Sequence, residues 1–291
     1  MLFATTTVAA RIERAEAGVV RDFAERARAA GKDVLIEPVG GTHAVFGGPG
    51  EPFNKVVGLG LNGPVDESAL ARLEAIYDAR GAEIRVEQCT LADPSVSILL
   101  TRRGYELIGY ENVLGLALTP ALTSALSDAV GADAAAGITI TRARPDQGRL
   151  WIDTAIDGFL VPDQFDGPPP TETFDRDTLR AVYADYSELP GTVLYFASRD
   201  GQVAGVGSAR NSGGLALMSG ATTLPAHRRR GVQSALLRAR LLDLAREGCD
   251  VAIVTTEPAS KSQQNTQRGG FELLYARAIL TRRARPRRSD R

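Results

Sequence analysis

One short motif occurs twice in this 291-residue chain, and the repetition constrains its fold more than any other feature. Residues 102–108 read RRGYELI, and residues 268–274 read RGGFELL. Before each copy comes the same series of patterns: an amphipathic helix ending at a glycine (Gly81 or Gly248), a strand rich in β-branched residues, a proline-containing loop and a short helix. A shared order over about 50 residues predicts a duplicated domain.

The duplication predicts two tandem domains, residues 1–125 and 126–291, joined by a linker at 119–138 that is rich in small residues and partly helical. The second domain reads as strand, two helices, three strands, helix, strand, helix and strand. Asp200-Gly201 between two apolar runs predicts a β-hairpin. We therefore expect an α/β (α+β) fold in which each domain has a mixed, mostly antiparallel sheet flanked by helices.

Composition excludes several classes of protein. The chain is 44% hydrophobic and 24% charged, with a formal net charge of −1. It is thus unlike a disordered or collagen-like chain and lacks the basic surplus of a nucleic-acid-binding protein. No signal-peptide pattern and no apolar run near the ~18 residues of a membrane span is present. Two separated cysteines, Cys89 and Cys249, and two histidines, His43 and His227, argue against a metal site. We expect a cytoplasmic protein.

Arginine dominates the basic residues. Only three of the 34 are lysine, a bias typical of a GC-rich bacterial genome. Six arginines lie in residues 282–291, and such a terminal run is expected to be a solvated tail. Salt-dependent contact of this tail with a nucleic acid is the alternative.

The clearest chemical signal lies between a predicted strand and the helix that follows it. After Pro225, three arginines, Arg228, Arg229 and Arg230, crowd the helix start, and Gly231 allows close backbone approach. A helix N-terminus already carries about half a positive charge and unpaired N–H groups, so cations there are unfavourable without an anion among them. A phosphate or pyrophosphate would satisfy both kinds of group. The alternative is an exposed, arginine-rich turn.

The stretch TLPAHRRRGVQSALL, residues 223–237, resembles the acetyl-CoA motif of the GNAT N-acetyltransferase superfamily, V-x-P-x-x-R-G-x-G-[IV]-[GA]. The sequence departs from the motif at Arg229, where glycine is common, and at Gln233, where the motif has glycine or alanine. Residues 265–274, NTQRGGFELL, resemble the late motif of the family that ends in Gly-Phe. The matching positions of the first motif are Thr223, Pro225, Arg228, Gly231 and Val232.

The resemblance implies direct transfer of an acyl group from acetyl-CoA, as co-substrate, to an amine. It implies that the pantetheine arm meets the backbone from Ala221 to Thr223 and that residues 228–234 cradle the pyrophosphate. The expected acceptor is a small-molecule amine, with a protein N-terminus or lysine as the alternative, and the protein is expected to be a monomer or homodimer with no nucleic-acid or membrane partner. The expected cofactor-binding residues are Ala221, Thr223, Arg228, Arg229, Arg230, Gly231, Val232, Gln233 and Ser234.

The sequence assigns no catalytic acid. Many family members carry a tyrosine four residues before the glycine of the Gly-Phe pair, and that position here is Thr266. Glu257, just after a predicted strand, is a weak candidate for a base acting through water, against the alternative of an ordinary loop glutamate. Tyr275 is expected to pack in the core.

A long, proline-rich loop at 158–174 has the character of a substrate lid. Its acidic residues, Asp163, Asp166 and Glu172, would favour a cationic amine as acceptor. A surface loop that only joins two helices is the alternative.

The corresponding strand–helix junction of the first domain, residues 56–73, has no arginine before Arg72. Instead, Asp66 and Glu67 lie at its helix start, where they satisfy the helix dipole and repel a pyrophosphate. The first domain is therefore expected to be a degenerate family member without cofactor, and His43 is expected to be a strand or loop residue.

Two functions follow from these observations. The leading hypothesis is an acyl-CoA-dependent N-acyltransferase with one working acetyl-CoA site, in the second domain. The alternative is a non-catalytic acyl-CoA-binding sensor or scaffold, which the missing tyrosine favours.

Overall fold

A computed structural model of the chain describes residues 2–48, 51, 53–161 and 175–284. Its helices are α1 (Thr6–Ala29), α2 (Glu67–Ala79), α3 (Pro94–Arg102), α4 (Pro120–Ala135), α5 (Gly148–Phe159), α6 (Arg176–Ser187), α7 (Val232–Arg246) and α8 (Lys261–Arg268). Its strands are β1 (Leu35–Val39), β2 (Thr42–Phe46), β3 (Val56–Val57), β4 (Ile84–Cys89), β5 (Glu106–Ala117), β6 (Ile138–Arg142), β7 (Thr192–Arg199), β8 (Gln202–Ser212), β9 (Leu215–Thr223), β10 (Val251–Thr256) and β11 (Glu272–Arg282).

The chain divides into two compact units that do not follow the sequence halves. The N-terminal unit comprises Phe3–Val113 and Leu274–Arg291, and the C-terminal unit comprises Leu114–Leu273 with the first two residues. Two strands, β5 and β11, therefore belong to both units along their lengths. The domains 1–125 and 126–291 were inferred from the duplication and stay a prediction, whereas the compact units divide at other positions.

The C-terminal unit has the mixed sheet that the sequence predicts. Its strand order is β5-β10-β9-β8-β7-β6, and β6 to β9 are antiparallel neighbours, whereas β9 and β10 are parallel. The β7–β8 hairpin turns at Asp200 and Gly201, with φ angles of +52° and +78°, as Asp-Gly favours. The predicted linker is mostly one helix, α4, whose first turn is capped by Thr119.

The core of the C-terminal unit lies between α7 and the sheet. Leu236, Leu241 and Leu244 of α7 are buried in one cluster with apolar residues of β7, β8, β9 and β10. Trp151 of α5 belongs to a second cluster with residues of β7 and β8, and its indole N–H donates to the carbonyl oxygens of Tyr195 and Gly207, both at 3.2 Å. Helices therefore flank this sheet, as the sequence predicts.

In the N-terminal unit the strand order is β1-β2-β3-β4-β11-β5. Neighbouring strands are antiparallel at β1–β2, β2–β3 and β4–β11 and parallel at β3–β4. Strand β3 has only two residues, so the parallel pair is short. Apolar residues of α2, α3 and the strands form its main core.

The repeated motif has the same local structure in both copies. Gly104 and Gly270 end the helices α3 and α8 with φ angles of +85° and +90°. The following aromatic residues, Tyr105 and Phe271, each donate their backbone N–H to the carbonyl oxygen five residues earlier, at 3.1 and 3.3 Å. This pattern closes a helix end before a strand, so the glycine is required for its positive φ.

Buried charged residues of α1 and the strands meet in the core of the N-terminal unit. Arg277 is fully buried and donates to Glu13 at 2.7 Å, and its Nη1 lies 3.4 Å from a carboxylate oxygen of Glu111. Lys55 donates to the buried Glu87 at 3.0 Å. Burial, with the neighbouring charge of Glu87, raises the pKa of Glu111 to about 7.

This raised pKa predicts a pH-dependent stability. The unfolded chain releases the Glu111 proton near pH 4.5, whereas the folded unit keeps it until about pH 7, so rising pH disfavours the folded state across this window. Glu111→Gln removes that loss. The free energy of unfolding of the variant, relative to the parent, should therefore rise by about 1–3 kcal/mol between pH 5 and pH 8, measured by urea denaturation.

Glu106→Gln, which removes an exposed carboxylate from the same strand, is the matched control. A stability difference between Glu111→Gln and the parent that stays constant from pH 5 to pH 8 would contradict the expected titration.

Candidate functional site

The candidate site lies in the C-terminal unit, where the parallel strands β9 and β10 separate. They pair over Leu215–Leu217 and Val251–Ile253 only. Beyond these residues β9 continues to Thr223 along β8, and β10 continues to Thr256, with no further pairing between the two in the described residues. The far part of β9 therefore has an edge with backbone groups open to a ligand.

A bulge bends β9 close to the point where its pairing with β10 ends. The β8–β9 register passes from Ser208 opposite Ser219 to Val206 opposite Thr222, so β9 carries one extra residue. Gly220 lies in this bulge with a φ of +57°. A Cβ atom at this position would lie 2.9 Å from the hydroxyl of Ser208, so both the backbone angle and the space require glycine.

The segment 225–231 connects β9 to α7. Pro225–His227 form a short 3₁₀ turn, and α7 follows Gly231, which has a φ of +81°. No side chain of a described residue caps this helix end, and its first turn has no acidic residue. Arg229 and Arg230 are exposed, and neither forms an ion pair with any residue that the structure describes. The helix start therefore offers N–H groups and two cations to an anion.

Arg228 faces the backbone of its own unit. Its Nε donates to the carbonyl oxygen of Thr223 at 3.0 Å, and its Nη2 donates to those of Gly158, at 3.0 Å, and Val161. These bonds connect the arginine loop to the end of β9 and to the end of α5. Arg228 is therefore placed to fix the loop, and its contact with a pyrophosphate, which stays a prediction, would compete with three carbonyl oxygens.

Arg229 has an unusual backbone conformation, with a φ of +58°. This left-handed region favours glycine, which is the residue that the GNAT motif commonly has at this position. The departure at Arg229 therefore keeps the backbone shape of the motif at a cost of about 1–2 kcal/mol.

The other expected cofactor-binding residues surround the same helix start. The hydroxyl of Thr223 donates to the side-chain oxygen of Gln233 at 3.4 Å, so the two ends of the segment meet. Val232 is buried, whereas Ala221 and Ser234 are exposed. Their contact with a ligand stays a prediction.

The residues weighed for catalysis are dispersed. Glu257 follows β10 and is half-buried, with its carbonyl oxygen accepting from the N–H of Ser260 at 3.3 Å. Thr266 is buried in α8 and accepts backbone bonds that end this helix. Tyr275 belongs to the N-terminal unit, where its hydroxyl donates to Glu13 at 2.7 Å in the core, so the expectation that it packs is confirmed.

The sequence analysis missed two polar residues beside the bulge. The hydroxyl of Tyr186, in α6, lies 2.5 Å from that of Ser219. Arg240, in α7, is 2% exposed and donates to the carbonyl oxygens of Ser208 at 2.8 Å and Ser219 at 3.2 Å. Burial lowers the pKa of Arg240 to about 10.

A sequence signal for Arg240 does exist. It lies four residues after Leu236 and four before Leu244, both fully buried on the apolar face of α7. A charged residue at a core position of an amphipathic helix indicates a specific buried partner.

The predicted lid cannot be placed. Residues 162–174, which contain Asp163, Asp166 and Glu172, lie outside the described residues. The lid and its preference for a cationic amine therefore stay predictions.

The N-terminal unit has a different helix start at α2. Asp66 caps this helix: its carboxylate accepts from the hydroxyl of Ser68 at 2.7 Å and from the N–H of Ser68 at 2.9 Å, and these two bonds lower the pKa of the carboxyl. Glu67 lies 3.2 Å from Arg103 in an ion pair. The carboxylate of the chain itself thus occupies the position that an anion would take. His43 lies on β2 and its Nε2 is 3.0 Å from the carbonyl oxygen of Ala17.

Comparison with known proteins agrees with this geometry. Residues 161–271 match the family model described as Acetyltransferase (GNAT) family, which covers the separated strands and the arginine loop. Residues 161–271 are thus similar to the GNAT acetyltransferase family. The expected fold class of the chain is likewise confirmed, since solved GNAT structures align over most of its length. No curated protein matches the sequence.

Three solved structures illustrate the similarity. A GCN5-related N-acetyltransferase from Kribbella flavida aligns with a TM-score of 0.61 at 15% identity, covering 94% of this chain and 95% of that one. A tandem GNAT protein from the clavulanic acid biosynthesis pathway aligns with a TM-score of 0.57 at 14% identity, over 87% and 84%. A C-terminal domain assigned to a lysylphosphatidylglycerol synthetase from Agrobacterium fabrum aligns with a TM-score of 0.50 at 14% identity, covering 95% of this chain and 92% of that one. At these identities the likeness concerns the fold alone.

Two further findings apply to the described part of the chain. No helix there has the length and apolarity needed to cross a membrane. No group of three or more His, Cys, Asp or Glu residues there is placed to hold a metal ion.

The positive φ of Arg229 generates a stability prediction. Arg229→Gly relieves the left-handed strain and should raise the free energy of unfolding by up to about 1 kcal/mol, after the entropy cost of a new glycine. Arg230→Gly is the matched control, because no positive φ is recorded for Arg230 and the substitution there should lower the stability. Urea denaturation of both variants measures the difference, and equal losses of stability would contradict the assigned backbone strain.

Proposed function

We propose that the chain is an acyl-CoA-dependent N-acyltransferase, with acetyl-CoA as the acyl donor and the amine of a small molecule as the acceptor. One observation carries the proposal. The start of α7, where Arg229 and Arg230 form no ion pair with a described residue and no described side chain caps the helix, lies directly after the strand whose edge is left open by β10. An extended ligand that ends in a pyrophosphate matches this combination of an open strand edge and an anion-binding helix start.

The chemistry asks little of the protein beyond placement. The amine nitrogen attacks the thioester carbon, the carbon–sulfur bond breaks, the leaving thiolate takes a proton, and the amine gives one up. The open edge from Ala221 to Thr223 would hold the pantetheine arm, and residues 228–234 would hold the pyrophosphate. Because a thioester is already activated, orientation and polarisation of its carbonyl supply most of the rate.

The N-terminal unit is proposed to lack an acyl-CoA site. Its helix α2 begins with the Asp66 cap and with Glu67, so a pyrophosphate there would face two carboxylates. Like charges at about 4–6 Å repel by about 0.7–1 kcal/mol in water and by more at the lower effective dielectric of a protein surface. We therefore propose that this unit is a degenerate relative of the C-terminal unit.

The proposal predicts the number and place of acetyl-CoA sites. Isothermal titration calorimetry should find one site per chain. Gly231→Val should abolish binding, because a β-branched residue is strained at a φ of +81° and screens the backbone N–H groups. Arg229→Ala with Arg230→Ala should weaken binding by about 10- to 100-fold and reduce its salt dependence, since two charge-assisted contacts are lost.

Arg149→Ala is the matched control for the loss of positive charge, because the Arg149 side chain is 90% exposed and lies at the start of another helix, α5. Unchanged affinity in the folded Gly231→Val variant would overturn the site, and two sites per chain would overturn the degenerate N-terminal unit.

Turnover decides between the enzyme and the sensor. Release of free thiol from acetyl-CoA should accelerate on addition of at least one member of a panel of small primary amines, and it should be absent in Gly231→Val. Tight binding of acetyl-CoA with no thiol release for any amine, peptide N-terminus or lysine peptide would favour the non-catalytic sensor or scaffold instead.

A further inference from the structure

Side-chain donors bind carbonyl oxygens of β8 and β9 at the bulge. Arg240 donates through one nitrogen to the carbonyl oxygens of Ser208 and Ser219. The hydroxyl of Ser208 donates to the same carbonyl oxygen of Ser219 at 3.0 Å, and the indole N–H of Trp151 donates to the carbonyl oxygen of Gly207. The irregular backbone is therefore held by a specific set of donors.

Burial of the charged Arg240 side chain costs folding free energy. The residue is 2% exposed, its Nε donates to a carbonyl oxygen within its own helix, and none of the described carboxylates forms an ion pair with it. A buried cation that is compensated only by neutral carbonyl dipoles weakens the core that contains it. Such a residue is expected where its hydrogen bonds hold a backbone shape that an apolar side chain does not hold.

Space around the bulge fits the guanidinium closely. A Cβ atom on Gly207 would lie 3.1 Å from the guanidinium carbon of Arg240. The absence of a side chain at this strand position therefore leaves room for the arginine. On the other strand, the hydroxyl of Ser219 lies 3.0 Å from that of Ser208 and 2.5 Å from that of Tyr186. The guanidinium, the two serines and the tyrosine form one connected hydrogen-bonded group at the bulge.

We propose that Arg240 is the positioning residue of the acyl-transfer site: by binding the carbonyl oxygens of Ser208 and Ser219 it fixes the bulge that opens β9 to the acyl-CoA. The bulge, between Ser219 and Thr222, follows the end of the β9–β10 pairing at Leu217 and overlaps the start of the edge proposed to hold the pantetheine arm, at Ala221. Its geometry therefore sets the direction of the backbone groups offered to the thioester. The consequence for turnover rests on the proposed function, whereas the consequence for the strand does not.

The test compares Arg240→Met with Leu244→Ala in the full chain. Both substitutions alter a buried residue on the same face of α7, and only Arg240 bonds to the bulge. Amide hydrogen exchange, measured by mass spectrometry on peptides covering residues 216–224, should accelerate at least about tenfold in Arg240→Met, and less than about threefold in Leu244→Ala at matched thermal stability.

Kinetics give the second readout. In Arg240→Met, kcat for thiol release should fall at least about tenfold while the Kd for acetyl-CoA changes less than about threefold, because the helix start is intact. Arg240→Lys, which keeps a charged donor, should recover part of kcat. Leu244→Ala should keep kcat within about threefold of the parent.

Each outcome decides the proposal. Equal exchange in the strand and equal kcat for Arg240→Met and Leu244→Ala would show that Arg240 is only a core residue. If Arg240→Met does not fold, Arg240→Lys and Ser208→Ala replace it, and unchanged strand exchange in both would overturn the positioning role. If the parent chain releases no thiol with any amine, the proposed function fails, and the exchange comparison still decides whether Arg240 fixes the bulge.

Discussion

The extra residue in β9 is the constraint on which the candidate site depends. It requires glycine at Gly220, it interrupts the regular pairing with β8, and it lies close to the point where β9 diverges from β10. A straight strand would continue to pair with β10, and the backbone groups of β9 would then be consumed within the sheet. Three helices contribute side chains that form hydrogen bonds with the residues at the bulge. They are Trp151 of α5, Tyr186 of α6 and Arg240 of α7.

The two units place their charges in opposite ways. In the C-terminal unit, exposed cations stand at a helix start that has no cap, whereas the N-terminal unit closes the corresponding helix start with Asp66. The N-terminal unit also contains the buried cluster around Arg277 and Lys55, in which acidic and basic side chains satisfy one another. A polar core of this kind satisfies the charges of the unit itself, whereas a helix start without a cap leaves N–H groups that can bind an anion.

Regular elements and the turn between β9 and α7 were predictable from the sequence because local patterns determine them. The repeat, the capping glycines and the Asp-Gly turn each act within a few residues of their position. The unit boundaries inside β5 and β11 were not predictable, since these are ordinary strands whose partners lie far away in the sequence. The contacts of Arg228 were not predictable either. Its position in the motif predicts a ligand-binding arginine, but it bonds to Gly158 and Val161, which lie about 70 residues away in the sequence.

The central claim is that the start of α7, after the bulged strand, binds an acyl-CoA. Mapping of backbone amide chemical shifts during titration with coenzyme A tests it most directly, because the proposed contacts are backbone N–H groups. The account predicts that the largest shifts fall within residues 219–234 and that the amides at the start of α2, from Asp66 to Ala69, do not respond. Largest shifts at α2, or none within residues 219–234 at saturating coenzyme A, would contradict it.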